Sequence, residues 1–237
     1  MSTEREQTAP PVAIVAARNE ADRIGATLDA LAATFPGARV FVADDASGDG
    51  TGEIALARGA TVIGRRRPHG KGGNVTAAAE AALSDPGAAG RGNPVFLLCD
   101  ADLGESVAVL RRLVEVVERG GADLAIASFA RREGGGFGVA RGYARRAIRD
   151  LSGYEPSAPI SGQRAMRASV LRELLPFAAG WGMETGITID AVRAGRRVVE
   201  VELPLAHRVT GRTLGGFIHR AAQLRDFRRA ARARRRP

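Results

Sequence analysis

The sequence predicts an α/β domain built on a mostly parallel, doubly wound sheet, and three observations carry that expectation. Short apolar runs alternate with stretches of helical periodicity through the first half of the 237 residues, the β-α-β-α pattern of a parallel sheet. The second run ends in a turn rich in aspartate and glycine and the third in one rich in arginine and glycine around a lysine, at the strand ends where open α/β sheets bind ligands. A fourth run, V-F-L-L-C-D-A-D-L-G-E over Val95 to Glu105, holds no polar residue before Asp100 and Asp102, as expected of a strand buried on both faces.

Val12 to Ala16 reads as the first strand. A-R-N-E-A-D-R-I follows, where Asn19 is expected to cap a helix carrying Ile24, Leu28 and Leu31 at helical spacing. Arg39 to Ala43 is the second strand and ends in D-D-A-S-G-D-G-T before a helix near Thr51. Asp and Ser suit turns and caps; Asp45 at a buried strand end also suits the N–H edge of a base, and either it or Asp44 suits a ribose hydroxyl. Ala60 to Gly64 is the third strand, ending in G-R-R-R-P-H-G-K-G-G-N before an alanine-rich helix from Asn74 to Leu83. Lys71 is the only lysine of the chain. Glycines beside it allow close approach to a phosphate, with a compact ammonium as donor, although the P-loop spacing is absent.

Ser84 to Asn93 reads as a Gly/Pro loop. In the strand after it, Asp100 and Asp102 point the same way, and paired oxygens suit a hard divalent cation holding phosphates. Val107 to Val117 reads as an amphipathic helix with Val109, Leu110, Leu113, Val116 and Val117 inward, and Asp123 to Phe129 as another buried strand. Arg131 to Gly142 is too glycine-rich for regular structure and fits a loop over the site or a plain linker. Tyr143 to Leu151 reads as a helix, Pro159 to Arg167 as a strand after a turn, and Ser169 to Leu175 as a short helix stopped by Pro176. Glu184 opens the next helix, as a cap favoured by the dipole or as an acceptor-site carboxylate. Arg197 to Leu203 alternates like a half-buried strand. His207, flanked by Arg208 and Arg212, is a structural histidine or part of an anion-facing loop. From Leu214 the chain turns helical and basic.

With 45% hydrophobic residues the chain can build a sizeable core. No apolar run reaches about 18 residues, and the polar N-terminus is no secretory signal, so a cytoplasmic protein is expected. Cys99 excludes an internal disulfide, being the only cysteine, and reads as a buried, inert thiol. The net charge of +9 is mostly a tail: residues 220 to 237 hold eight arginines against Asp226 alone. Such a block is either solvated or binds a partner.

Strand-A-R-N-E, strand-D-D-A-S-G-D-G-T, G-K-G-G and D-A-D, in this order, resemble the nucleotide-sugar-binding half of family 2 glycosyltransferases with the GT-A fold, a Rossmann-like mixed sheet flanked by helices. P-I-S-G-Q-R-A-M-R-A-S-V-L, P-F-A-A-G-W-G-M-E-T-G-I-T-I-D and A-H-R are similar to glucosyl- and mannosyl-3-phosphoglycerate synthases. The resemblance covers one glycosyltransferase domain over 11–217, which leaves a flexible N-terminus over 1–10 and a basic C-terminal helix or tail over 218–237 as expectations. It implies a nucleotide-sugar donor, Mg²⁺ or Mn²⁺, a small phosphorylated or carboxylated acceptor and retention at the sugar. Position by position, Ala16 and Glu20 border base and ribose, Asp45 meets the base, Lys71 the diphosphate or sugar, and Asp100 the ribose or sugar beside Ala101. Asp102 and His207 ligate the metal, and Met183 and Glu184 lie at sugar and acceptor. The family's acceptor-phosphate arginine-threonine pair is not recognisable in G-G-G-F-G-V-A-R-G, and Arg141 within it or Arg131 or Arg132 just before it could substitute.

Three rivals remain at this stage. A polyprenyl-phosphate glycosyltransferase would lay 217–236 on anionic lipid as an interfacial helix. A nucleotidyltransferase would want a glycine-rich signature after the first strand, where this chain has A-A-R-N-E. Non-enzymatic anion or nucleic-acid binding would use the tail alone. Expected partners are the sugar nucleotide, the acceptor, an anionic membrane surface and a second copy of the chain, with no specific nucleic acid.

Overall fold

The computed structural model describes residues 9–64, 67–89, 92–129, 138–204 and 214–235. The strands are β1 Val12–Ala17, β2 Arg39–Asp44, β3 Thr61–Gly64, β4 Val95–Asp100, β5 Leu124–Phe129, β6 Arg164–Arg167 and β7 Val198–Leu203. The helices are α1 Ile24–Thr34, α2 Thr51–Ala57, α3 Gly70–Ser84, α4 Pro86–Ala89, α5 Arg111–Glu118, α6 Gly138–Ser152, α7 Ala168–Leu174, α8 Met183–Arg193 and α9 Leu214–Ala233. Among the described residues the strands form one sheet in the order β3-β2-β1-β4-β6-β5-β7. Only β6 runs against its neighbours β4 and β5; the other pairs are parallel.

From β1 the chain winds outward through β2 and β3, then returns to place β4 on the other side of β1. The crevice at this reversal is where such sheets bind ligands. Register puts Ala16 beside Ala43 on one side and Asp100 on the other, so the ends of the first, second and fourth strands meet there. Side-chain alternation divides the core in two. Ala13, Val15 and Leu97 face Leu28 and Leu31 of α1 and Leu113 of α5. Val12, Ile14, Phe96 and Leu98 face Val75 and Ala79 of α3, Leu171 of α7 and Ile187 of α8. Each large aliphatic side chain so buried contributes about 1.5–3 kcal/mol.

Several local expectations change. Helix α1 starts at Ile24 with Arg23 at its cap, because Asn19 takes a left-handed φ of 53° and is used elsewhere. Helix α3 starts at Gly70, four residues earlier than the alanine pattern indicates. The cause is remote: Asp45 Oδ1 accepts from the N–H groups of His69 and Gly70 at 2.7 and 3.2 Å and from Asn74 Nδ2 at 2.8 Å. The 84–93 loop holds the short α4. The expected 107–117 helix is a 3-10 helix, Gly104–Leu110, continued by α5. Val107 and Val114 join its buried side, whereas Val109 and Val116 are only half-buried. Helix α6 begins at Gly138, inside the stretch expected to lack regular structure, while Arg131 and Arg132 lie outside the described residues. Of the expected 159–167 strand only 164–167 pairs.

The C-terminal stretch is helical from Leu214, as its sequence indicates. Helix α9 runs through the expected boundary at 217 and docks on the domain. Phe227, Ala230 and Ala231 are 2%, 3% and 1% exposed, Phe227 packing with Ala140 and Ala144 of α6. Arg234 makes two bonds to Asp190 of α8, 2.7 Å from Nε and 2.5 Å from Nη2. From residue 223 on, arginines fill most outer positions of this helix, while Phe227, Ala230 and Ala231 face inward together with Gln223 and Asp226. No described helix is long and apolar enough to cross a membrane.

Candidate active site

The first and second loops close on each other. Ser47 Oγ accepts from the Asn19 N–H at 2.9 Å, and Asn19 Oδ1 accepts from the Gly48 N–H at 3.0 Å. The Glu20 N–H donates to Thr51 Oγ1 at 2.9 Å and the Ala21 N–H to Asp49 Oδ2 at 3.1 Å. Asp49 also accepts from the Thr51 hydroxyl, and chiefly this bond holds its carboxyl below the ordinary range. The aspartates of D-D-A-S-G-D-G-T thus act mainly within the protein: Asp44 binds Ser47, Asp49 fixes Glu20's loop, and Asp45 caps α3. Asp45, expected at a base, spends Oδ1 on that cap; its Oδ2 faces Arg18 at 3.6 Å.

D-A-D is pinned from behind. The Ala101 N–H donates to the Ala16 carbonyl at 3.0 Å, and the Ala101 carbonyl accepts from Thr27 Oγ1 at 2.7 Å, which accepts from the Gly104 N–H at 2.9 Å. Thr27 is fully buried and had no assigned role in the sequence; a threonine in a helix gives no signal of such a task. Held this way, Ala101 is 1% exposed while the Asp102 side chain is 37% exposed. Glu20 stands nearby, paired with Arg23 at 2.9 Å. Burial pushes its carboxyl up; Arg23 opposes this, and Asp102, Asp22 and Asp100 add to it.

The two carboxylates of D-A-D have separate surroundings. Asp100 Oδ1 is 2.6 Å from Lys71 Nζ, and Asp100 Oδ2 accepts from Gln163 Nε2 at 2.7 Å. Lys71 also lies 2.8 Å from Glu184 Oε1. Burial works against the ammonium, but Asp100 and Glu184 outweigh it and hold it well above the ordinary lysine range. A Cβ on Gly162 would fall 2.7 Å from Asp100 Oδ2 and 2.8 Å from Lys71 Nζ. S-G-Q therefore supplies both the space and the amide for this cluster, a role the sequence did not reveal. Asp100, expected at ribose or sugar, is first of all the partner of Lys71 and Gln163. Burial pushes the neighbouring Cys99 thiol up, consistent with the inert thiol expected.

Lys71 and Glu184 meet because two glycine turns touch. A Cβ on Gly72 would lie 1.9 Å from the Ala178 carbonyl oxygen, and one on Gly70, at φ +74°, 3.0 Å from the Gly180 Cα. Glu184 is 3% exposed in the first turn of α8. Met183 beside it, expected at the sugar, is a core residue, 1% exposed and clustered with Ile187 and Phe96. Arg164 below is fully buried, with Nε on the Ser161 carbonyl and Nη1 on Thr188 Oγ1. Burial pulls it down to about 10 against the opposing charges of Glu184 and Glu200. Arg141, the acceptor-side expectation, donates instead to the Ser157 carbonyl at 2.7 Å, on a turn that Glu200 also holds. His207 lies outside the described residues.

Among the described residues no three His, Cys, Asp or Glu side chains gather for a metal. Asp102 nevertheless fits one ligand of a hard cation: it is solvent-open, and its ion pair with Arg23 is loose, at 3.8 Å. A cation there would draw its other ligands from phosphate oxygens, water and residues such as His207.

The Lys71 ammonium and the carboxylates of Asp100 and Glu184 gather at the switch point of the sheet, the crevice where α/β sheets bind ligands. The sequence profile of glycosyl transferase family 2 matches residues 12–175, and the chain belongs to that family. An undecaprenyl-phosphate mannosyltransferase of Micrococcus luteus is 33% identical over 226 residues, 88% of this chain and 89% of that protein. Glucosyl-3-phosphoglycerate synthase of Mycobacterium tuberculosis with phosphoglyceric acid superposes with a TM-score of 0.74 at 27% identity, over 95% of this chain and 80% of that one. Mannosyl-3-phosphoglycerate synthase of Rubrobacter xylanophilus gives 0.70 at 25%, over 96% and 74%. Another Mycobacterium tuberculosis synthase structure, with a TM-score of 0.71 at 25% identity over 95% of this chain and 80% of that one, holds Mn²⁺, UDP and glucosyl-3-phosphoglycerate.

Proposed function

We propose that the chain transfers a hexosyl group, with retention, from a UDP-glucose- or GDP-mannose-type donor to a small acceptor carrying a phosphate or carboxylate, with Mn²⁺ or Mg²⁺. The observation that carries this reading is the partly buried chain Asp100–Lys71–Glu184, at 2.6 and 2.8 Å. It joins the end of β4, on the donor side, to the start of α8, on the acceptor side. Lys71 presents fixed positive charge where a nucleoside diphosphate departs, and a preorganised charge in a water-poor site is worth most there. Asp100 and Gln163 hold the ammonium in place, and Glu184 orients the incoming group from the other side. Asp102 and His207 would hold the cation, which when bound supplies charge to the leaving diphosphate. Retention is favoured by Glu184: the buried acceptor-side carboxylate is already engaged by Lys71 and is not poised as a free base. The curated and structural relatives have phosphate-bearing acceptors in their names, which supports an anionic acceptor.

Thermal unfolding with UDP or GDP, with and without Mn²⁺, tests the donor site. Stabilisation by one diphosphate that needs Mn²⁺ and is lost in Asp102→Ala is expected. An equal response in that variant overturns the metal assignment.

A second reading, a polyprenyl-phosphate acceptor at a membrane surface, is favoured by the Micrococcus luteus relative. Phe227 turns into the protein, while Arg225, Arg228, Arg229, Arg232 and Arg235 are exposed and would give α9 an electrostatic attachment to anionic lipid. Sedimentation with vesicles of anionic lipid, reversed by salt, and transfer to undecaprenyl phosphate rather than 3-phosphoglycerate would select it; no sedimentation at moderate salt would sink it.

A further inference from the structure

Asp226 is the one acidic residue in the arginine-rich stretch from 214 to the C-terminus. An aspartate placed only to soften that charge belongs on the solvent side of the helix. Instead its side chain is 13% exposed, on the face that α9 turns toward the domain. Its Oδ2 accepts from the Trp181 N–H at 3.2 Å. A Cβ on Gly180, at φ +61°, would fall 2.1 Å from the same oxygen, and one on Gly182 would fall 2.8 Å from the Ala230 Cβ and 2.9 Å from the Asp226 carbonyl oxygen. One turn further, a Cβ on Gly186 would meet Arg234 at 2.9 Å, the arginine that binds Asp190. Three layers therefore stack with backbone in direct contact: the first turn of α3 with Lys71, the G-W-G turn leading into Glu184, and α9.

We propose that Asp226 is a positioning residue for the transferase site, acting through the Gly180–Trp181–Gly182 turn to set Glu184 against Lys71. A charge-assisted bond to a backbone N–H is among the stronger hydrogen bonds of a protein, and this one fixes the turn whose other side presses on Gly70 and Gly72. The arginine-rich stretch supplies the outer wall of the acceptor side. The inference rests on the reading of Lys71 and Glu184 as site residues. Small misplacements of reacting groups cost large factors in rate, so the effect falls on turnover more than on donor binding.

Trp181 is the only tryptophan, so its fluorescence and near-UV dichroism report the turn without any assay of activity. Asp226→Ala is expected to shift Trp181 emission to the red, to leave UDP binding in Mn²⁺ within about threefold, and to lower kcat for nucleoside diphosphate release about tenfold or more. Asp226→Asn keeps an acceptor oxygen for the Trp181 N–H and is expected to restore both the spectrum and most of the rate. An unmoved Trp181 spectrum in Asp226→Ala overturns the clasp. So does a shifted spectrum with kcat within about twofold of wild type, or an Asp226→Asn variant as impaired as Asp226→Ala. If wild type releases no diphosphate from UDP-glucose or GDP-mannose, the functional reading fails, while the Trp181 spectra still decide the clasp.

Discussion

Lys71 and Glu184 face one another at 2.8 Å across two glycine turns, and the contact joins segments far apart in the chain, the first turn of α3 and the first turn of α8. At the point of contact Gly70, Gly72 and Gly180 carry no Cβ. The charges can approach only because Gly70, Gly72 and Gly180 let the backbones touch. The same lysine holds Asp100 at 2.6 Å, so one cation is shared by two carboxylates.

Removing the cation should be severe. Lys71→Met leaves Glu184, 3% exposed, without its partner, and breaking a buried pair on one side costs about 3–5 kcal/mol. Urea unfolding at neutral pH should show that loss, and Glu184→Gln added to Lys71→Met should recover part of it, because the uncompensated charge is then gone. Purely additive losses would show that the two groups are not coupled.

Glycine contacts give a sharper comparison. Gly72→Ala places a methyl 1.9 Å from the Ala178 carbonyl, so backbone must move, whereas a Cβ on Gly48 meets nothing within 4 Å. Overpacking of this kind costs about 1–3 kcal/mol. Gly72→Ala should lose that stability together with donor turnover, and Gly48→Ala should match wild type in both. Equal behaviour of the two variants would remove the touching turns from the account.

Much of this was legible in the sequence, and what was not has physical causes. The parallel strands announce themselves as apolar runs, so the switch point and D-A-D could be located. Lys71 stood out as the lone lysine. What local pattern cannot carry is a contact between distant segments: Asp45 starting α3 from another loop, Gln163 and Gly162 framing Asp100, or Arg234 reaching Asp190. The docking of α9 is hidden for the same reason. Eight arginines dominate its composition, while docking depends on Phe227, Ala230, Ala231 and Asp226 on the opposite face.

Thr27 offers a test of how D-A-D is held. Its hydroxyl donates to the Ala101 carbonyl and accepts from the Gly104 N–H. Thr27→Val keeps the shape and removes both bonds, and each buried backbone group left unpaired costs about 1–3 kcal/mol. Thermal unfolding should fall accordingly, and the Mn²⁺-dependent stabilisation by nucleoside diphosphate should weaken, since Asp102 sits on the loosened turn. A destabilised variant with undiminished Mn²⁺ response would show that Asp102 keeps its place by other means.

Glu20 should make the site's own charge visible as a pH dependence. Its carboxyl is raised by burial and by Asp102, Asp22 and Asp100, with Arg23 offsetting only part. The folded protein therefore binds this proton more tightly than the unfolded chain. By linkage, the favourable contribution is complete below the unfolded carboxylate range and is lost as pH rises through the folded value. At neutral pH the ionised group weighs against folding. Glu20→Gln should then be more stable than wild type at pH 7, and the gain should vanish toward pH 3, where wild-type Glu20 is protonated in both states. Urea titrations of both proteins at the two pH values measure this directly. A Glu20→Gln variant less stable than wild type at pH 7 would mean that the Arg23 pair outweighs the burial and the neighbouring carboxylates.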